Sequence, residues 1–445
     1  VRTNTLRRDS TALSKIQAIV IVLVIVIAVI AFAGYVVIRP ASSSSSKKLT
    51  VWMLTEVPPY TPNIPEQWAA QFDSANPGVN ITFQFIDYGD YFTKITAAIT
   101  SHTLPDILYI YDAWLPTLVS AGTLSAPPAW VQNDVKANFT TDSSIGVTYN
   151  NTIWGYPTET DDYMLLYNKM LFNQAGISGP PATWTQFVQD AIKLTHTGSN
   201  GQITQEGFDV ITGWDNGVVH PWLAMLRSDG GDMFYSNGSA ALTSPQAMQV
   251  AQFYYNLTHV WNVTTTSLPW DTTFITQHAA MIVMADWWEG TLESEMGSNF
   301  TNVGVAPIPV GPMGTTSLTV SYNWLWVVTS TSTNQQLAWQ FLKFIDSPNP
   351  STSVSPMGTW LMGLGIIPSR TSDIQNNATF TSDPFMKPFI AAIQNGDAPS
   401  VPIIMNYEQV ITLVQHTIES IEAGSLQPAQ GMNLANSEVD QIMGV

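Results

Sequence analysis

The sequence contains no cysteine and few cations. Without cysteine there is no disulfide staple, no thiolate nucleophile and no thiolate metal ligand. A chain of 445 residues must then rest on apolar cores, and its length suits two or three domains. Charged residues make up 11% of the chain, against the usual ~25%. The few cations are unevenly placed. Residues 1–48 hold seven of the fifteen Lys and Arg and only one acid, Asp9. Residues 49–445 therefore carry 8 cations against 32 acids, a formal balance of −24. Such a body does not suit nucleic acid, whose phosphates demand a basic surface. Ser, Thr, Asn and Gln take the place of charge. Either the milieu is acidic, where carboxylates are neutralised, or a glycosylated surface needs little charge. Also lacking are a phosphate-cradling Gly-x-x-x-x-Gly-Lys, a Gly-x-Ser-x-Gly elbow and a His-Glu-x-x-His, and the six histidines are scattered. The expectation is therefore no metal, no cofactor and no ATPase within this chain.

One long apolar run is present. Residues 18–38 carry no charge and, at ~1.5 Å per residue, a helix over them spans about 31 Å, enough for a bilayer. Arg2, Arg7, Arg8 and Lys15 precede it and Arg39-Pro40 follow it, so the basic flanks do not settle orientation. Residues 12–17 are similar to the processing site of archaeal pilin-like signal peptides, which are cut before the apolar stretch. Cutting before Leu13 would leave the helix as an anchor. Thr11 and Gln17 depart from that pattern, and a plain signal anchor is the alternative. In both cases the helix stays, with Ser42 to Ser46 as a flexible tether.

The body begins with Leu49-Thr50-Val51-Trp52-Met53-Leu54, a buried first strand. Asn63-Ile64-Pro65-Glu66 open a helix with Ile64, Trp68 and Phe72 on one face, and Val79, Ile81, Phe83 and Phe85 alternate as a second strand. A helix over 91–99 and a strand at 107–111 complete a strand-helix alternation, which implies an α/β lobe with helices on both sheet faces. Ligands of such sheets sit at the carboxyl ends of strands; Thr55, Glu56, Asp112 and Trp114 lie just past such ends. Further on, 207–214 reads as a strand, Ser244-Pro245 start a helix, and 279–284 is a buried strand ending in Asp286-Trp287-Trp288-Glu289. Another strand at 320–328 carries Tyr322, Asn323, Trp324 and Trp326. Ala338, Phe341, Leu342 and Ile345 form a helical stripe. Eight Asn-x-Ser/Thr sequons occur, at Asn80, Asn138, Asn150, Asn237, Asn256, Asn262, Asn299 and Asn377. All but Asn80, which falls in a strand, are candidate glycosylation sites of an exported chain.

The chain is organised around residues 152–187. Trp154-Gly155-Tyr156-Pro157 make an aromatic-proline turn, and the adjacent acids Asp161 and Asp162 follow, read as exposed. Next come the apolar run Met164-Leu165-Leu166-Tyr167, then Asn168-Lys169. Past Pro180-Pro181, Thr183 and Gln186 form a helix-opening capping box. At these residues the chain resembles the extracellular solute-binding proteins of ABC importers, of the type that includes maltose-binding protein. That family has a Tyr-Pro turn, a carboxylate a few residues on, a Tyr-Asn-Lys segment and a Pro-x-Thr-Trp helix start. The segments 72–77 (FDSANP), Pro105-Asp106, the Ala-Met strand with its trailing tryptophan and the Ala-x-x-Phe-Leu helix match it too.

The resemblance implies a two-lobed periplasmic-binding-protein (Venus flytrap) α/β fold with a hinge, added to the N-terminal transmembrane helix. The expected division is an anchor at 1–40, a linker at 41–48, one lobe at 49–159 plus 325–370, and a second at 160–324 plus 371–445. The resemblance places sugar-contacting carboxylates at Asp161 and near Asp112, and a stacking tryptophan at Trp287 or Trp288. A pyranose presents an apolar C–H face to an indole and a rim of hydroxyls to acids or amides. Position alone adds Tyr156, Glu56, Trp222, Trp324 and His220, although an aromatic near a strand is more often packing. Asp162 reads as a solvated turn acid. The expected function is extracytoplasmic capture of a sugar or oligosaccharide for permease subunits and, through them, an ATPase, with the body held outside the cell membrane. The expectation is no enzyme. Two rivals stand: a secreted glycoside hydrolase, for which Asp161/Asp162 and Glu293/Glu295 are acid pairs by count only, and a pilin-like structural protein.

Overall fold

A computed structural model describes residues 47–55, 63–265 and 269–445. The apolar segment at 18–38, the Ser tether and Glu56 lie outside the described residues. Among those described, no helix is long and apolar enough to cross a membrane.

The first half builds as the alternation predicts. Strand β1 (Lys47–Leu54) buries Leu49, Val51 and Met53 on one face, the period-two consequence of a pleated strand. Helix α1 (Asn63–Ala75) returns the chain to β2 (Val79–Ile86), parallel to β1, and α2 (Tyr88–Ser101) to β3 (Ile107–Tyr111), parallel to β1 on its other edge.

The next strand joins everything. β4 (Tyr156–Asn168) is thirteen residues long, and its neighbours change partway along. Residues 156–162 pair with β7 (Ser321–Val328), and residues 163–168 pair on one edge with β5 (Met281–Ala285) and on the other with β6 (Val303–Ala306). The sheet order is β6-β4-β7-β3-β1-β2, with β5 also on β4. Between them the chain adds α3 (Trp184–Leu194), α4 (Asp215–Ser228), α5 (Pro245–His259), β5 (Met281–Ala285), β6 (Val303–Ala306) and β7 (Ser321–Val328). Pro157 has no amide hydrogen to give to the ladder. The register of β4 against β7 slips there, with Trp324 opposite Glu159 and Leu325 opposite Pro157.

The start of β4 corrects the sequence reading. Thr158, Glu159, Thr160, Asp161 and Asp162 are all buried, not exposed turn acids. One edge is taken by β7. The other is covered by 367–369, where the Thr160 amide donates to the Ile367 carbonyl (3.0 Å) and the Ser369 amide to the Thr158 carbonyl (2.8 Å). Asp162 is the last residue on β7, and Tyr163 the first on β5. Asp286 accepts the amides of Asp162 and Ile367, each at 3.3 Å, tying both crossing segments together.

The predicted strand at 207–214 is not one. Glu206 and Asp209 make isolated bridges to Ala279 and Ile282, and no ladder continues. Gly207 is pressed so close to the Ala191 carbonyl that a Cβ would lie 2.0 Å from it. The chain then enters α4, whose residues from Asn216 to Ser228 are all buried despite Pro221 inside. A helix covered all round shows no one-sided stripe. Helices α6 (Gln335–Asp346) and α7 (Pro356–Gly363) return to the first half, where Phe341 meets Phe72 at 5.3 Å. The last two helices, α8 (Tyr407–Glu422) and α9 (Pro428–Met443), pack on α5, and α8 also on α4. At the start of α3 the Thr183 hydroxyl accepts the Gln186 amide (3.3 Å), while the Gln186 side chain takes the Ala182 amide (2.9 Å) rather than that of Thr183.

Candidate ligand cavity

Strand ends from both halves meet around a cavity of about 470 Å³, within the usual range of a small-molecule site. Leu54, Thr55, Tyr88 and Tyr111 enter from the carboxyl ends of β1, β2 and β3. Trp287 and Trp288 follow β5. β4 and β7 supply Asp161 and Trp324, and α4 supplies His220 and, at its start, Asn216.

The wall is mainly indole and phenol. Trp214 lies 6.0 Å from Trp270 in a near-parallel stack, and 5.9 Å from Trp287 at a steep angle. Trp324 stacks on Tyr109 at 5.1 Å and is tilted against Tyr111 at 5.8 Å. Polar contacts cross from one half to the other. The Asn216 amide donates to the Tyr88 hydroxyl, and Trp114 Nε1 donates to Glu408. His220 Nε2 sits 3.1 Å from the Tyr407 hydroxyl and 3.3 Å from that of Tyr111. Burial, helped by Arg227, lowers the His220 pKa to about 3, so the ring is neutral.

Among the described residues no Lys or Arg lines the cavity, and the lining acids are Glu159 and Asp161. Burial raises Glu159 to about 7 against hydrogen bonds from Tyr109 and Thr158. Among the described residues the arrangement offers flat apolar faces, a few hydroxyl and amide groups and two acids, and nothing to neutralise an anion.

The structure thus brings Asp161, Trp287, Trp288, Trp324 and His220 together, and leaves the other described candidates elsewhere. Asp112 is fully buried behind the wall. Its Oδ2 accepts both the backbone amide and the Nδ2 of Asn323 at 3.0 Å, which fastens β7 to the end of β3. Tyr156 is buried against Phe139 (5.9 Å) and beside Asp134, away from the cavity. Trp222 is enclosed within α4, because no side of that helix meets solvent. Asp162 points to the opposite face of β4 from Asp161, against Asp286, so the two adjacent acids do not form a pair. Sequence reasoning missed Glu159, Trp214, Trp270 and Tyr88. Glu159 was two residues from Asp161, hence on its face of any strand. Tyr88 follows β2 as Thr55 follows β1. Trp270 carried no local signal.

Comparison with known proteins places the chain in a family. A model of the family described as bacterial extracellular solute-binding protein matches residues 58–349. A putative binding protein of Brucella abortus is 23% identical over 387 residues, covering 85% of this chain and 89% of that protein. A solute-binding protein of an ABC transporter from Thermotoga lettingae, solved with α-D-tagatose, superposes with a TM-score of 0.76 at 22% identity, over 89% of this chain and all of the other. The GacH receptor of Streptomyces glaucescens, solved unliganded and with acarbose, gives 0.77 at 18% identity, over 90% and 99%. At these identities the structural likeness shows a shared fold alone.

Proposed function

The chain belongs to the bacterial extracellular solute-binding protein family, and on that premise we propose that it captures an uncharged sugar or oligosaccharide in the cavity between its halves and passes it to a membrane permease. The observation that carries this reading is the cavity itself: aromatic rings from both halves, Asp161 among them, and, among the described residues, no lining cation. Indole faces suit the C–H face of a pyranose, and a buried carboxylate suits its hydroxyls. An amino acid or a sugar phosphate would bring an anion into a site with no partner for it. Asp161, Trp287, Trp288, Trp324 and His220 are the proposed contacts, with Asp112 and Trp222 packed behind them. A ligand that touches both halves favours the closed arrangement by its differential affinity.

The hydrolase reading is weaker. Glycosidase carboxyls flank the scissile bond; Glu159 and Asp161 project side by side from one strand. The family is extracytoplasmic, and the segment at 18–38 would hold the body there beside its permease. Asn138, Asn150, Asn237, Asn262 and Asn299 are exposed and open to glycans, whereas Asn256 and Asn377 are half-buried and Asn377 caps a short helix through its side chain.

Calorimetry with tagatose, maltotriose, mannobiose and their uronate counterparts tests the reading. The expected result is saturable binding of at least one neutral sugar and a raised Tm. A body whose Tm and heat signal no sugar alters would overturn it.

A further inference from the structure

Glu159 is a buried acid with no cation partner among the described residues. Among the described residues there are two ion pairs, Arg227 with Asp232 and Arg370 with Asp134, and neither involves it. Uncompensated burial of a carboxyl is costly, and a site that keeps one has a reason to. Its two oxygens are treated differently. The Tyr109 hydroxyl and the Thr158 hydroxyl (3.0 Å) both donate to Oε2, while no described side chain or amide donates to Oε1. Glu159 lines the cavity, so the clamped oxygen fixes the group and the other is left for a ligand. Trp324 stands opposite it in the ladder and stacks on the same Tyr109, which sets an indole beside the acid. Asp161, two residues on, shares this face of β4.

We propose that Glu159 is a specificity-determining residue: with Asp161 it forms a two-acid edge that takes neighbouring hydroxyls of a neutral saccharide and rejects a saccharide bearing a carboxylate or phosphate. The proposal rests on the sugar-binding reading. It adds a residue that the family resemblance does not single out and states what the site refuses.

The test is calorimetry at pH 8, above the raised pKa of Glu159, on the full chain with tagatose, maltotriose, mannobiose and the C6-oxidised counterparts of the two glycans. Glu159→Gln and Glu159→Asp are compared with the wild type, and Tm is measured for each. Hydrogen bonds to a charged group are worth roughly tenfold to a hundredfold in affinity. The expected result is that the wild type binds a neutral probe, binds its oxidised form at least tenfold more weakly, and loses about tenfold or more when Glu159 becomes Gln or Asp. The Tm of Glu159→Gln should stay level or rise, since an amide is easier to bury. Neutral-sugar binding within about twofold of wild type in both variants overturns the proposal and leaves the sugar-binding reading standing. Equal affinity for neutral and oxidised forms also overturns it. A wild type that binds none of these probes overturns the reading first, and this inference with it.

Discussion

Asp162 has two carboxylate oxygens with no hydrogen-bond partner and no exposure, beside a second buried acid, Asp286. Burial first, then Asp286 and Asp142, hold its pKa well above the usual carboxylate range. The native state therefore keeps a proton that the unfolded chain gives up at ordinary carboxylate pH. Stability from this residue is fully present below about pH 4 and lost as pH rises. Asp162→Asn has the same shape and no proton to lose. Thermal melts of the variant are expected to show a higher Tm than wild type at pH 8 and nearly the same Tm at pH 4. A lower Tm at pH 8 would show that the carboxylate has a partner in the native state. The sequence offered no view of this. Two acids after a Tyr-Pro turn read as a wet turn, because nothing local reports that β7 and 367–369 will cover both edges.

At the scale of elements, legibility followed periodicity. β2 alternates and α6 carries a 3.6-residue stripe, each readable because one face is wet or nearly so, whereas β1 was read as a buried run and is covered on one face only. The second half of β4 was readable as an apolar run. Its first half is buried on every side, yet holds threonines and acids, so neither period nor hydropathy marks it. α4 was lost for the related reason that burial all round erases the stripe, and Pro221 discouraged a helix. Of the candidate site, the strand-end rule found the residues after β5 and missed those, such as Trp214, that reach the cavity from irregular chain. The misplacement of Trp222 yields a direct check. Trp222→Ala should cost about 3–5 kcal/mol of stability, the range for removing a large buried aromatic, measured by denaturant unfolding. A loss below about 1 kcal/mol would mean that α4 is not the enclosed core helix described.

On the scale of the whole molecule, buried acids without cations recur. Burial is the first cause that raises Asp112, Asp286 and Glu289 to about 8, and Glu159, Glu206 and Glu408 to about 7. Each of these pKa values is raised in the fold, so each contributes stability that is complete below about pH 4 and declines as pH passes through 7 to 8. The scarcity of cations works in the same direction, since little positive self-repulsion is left once the acids are protonated. Differential scanning at pH 4, 6 and 8 is expected to give a Tm that falls with pH. A Tm that rises from pH 4 to pH 8 contradicts this, and leaves the glycosylated surface as the reading of the low charge. The broad architecture was legible because it rests on strand-helix alternation; the proton economy was not, because burial is a property of the finished fold.

One ribbon of backbone, β4, belongs to the hydrogen-bonded interior of both halves. Fraying either sheet strips that ribbon of its neighbours and exposes its acids and threonines. Damage on one side is thereby felt on the other, and the two halves are expected to melt together as a single cooperative body.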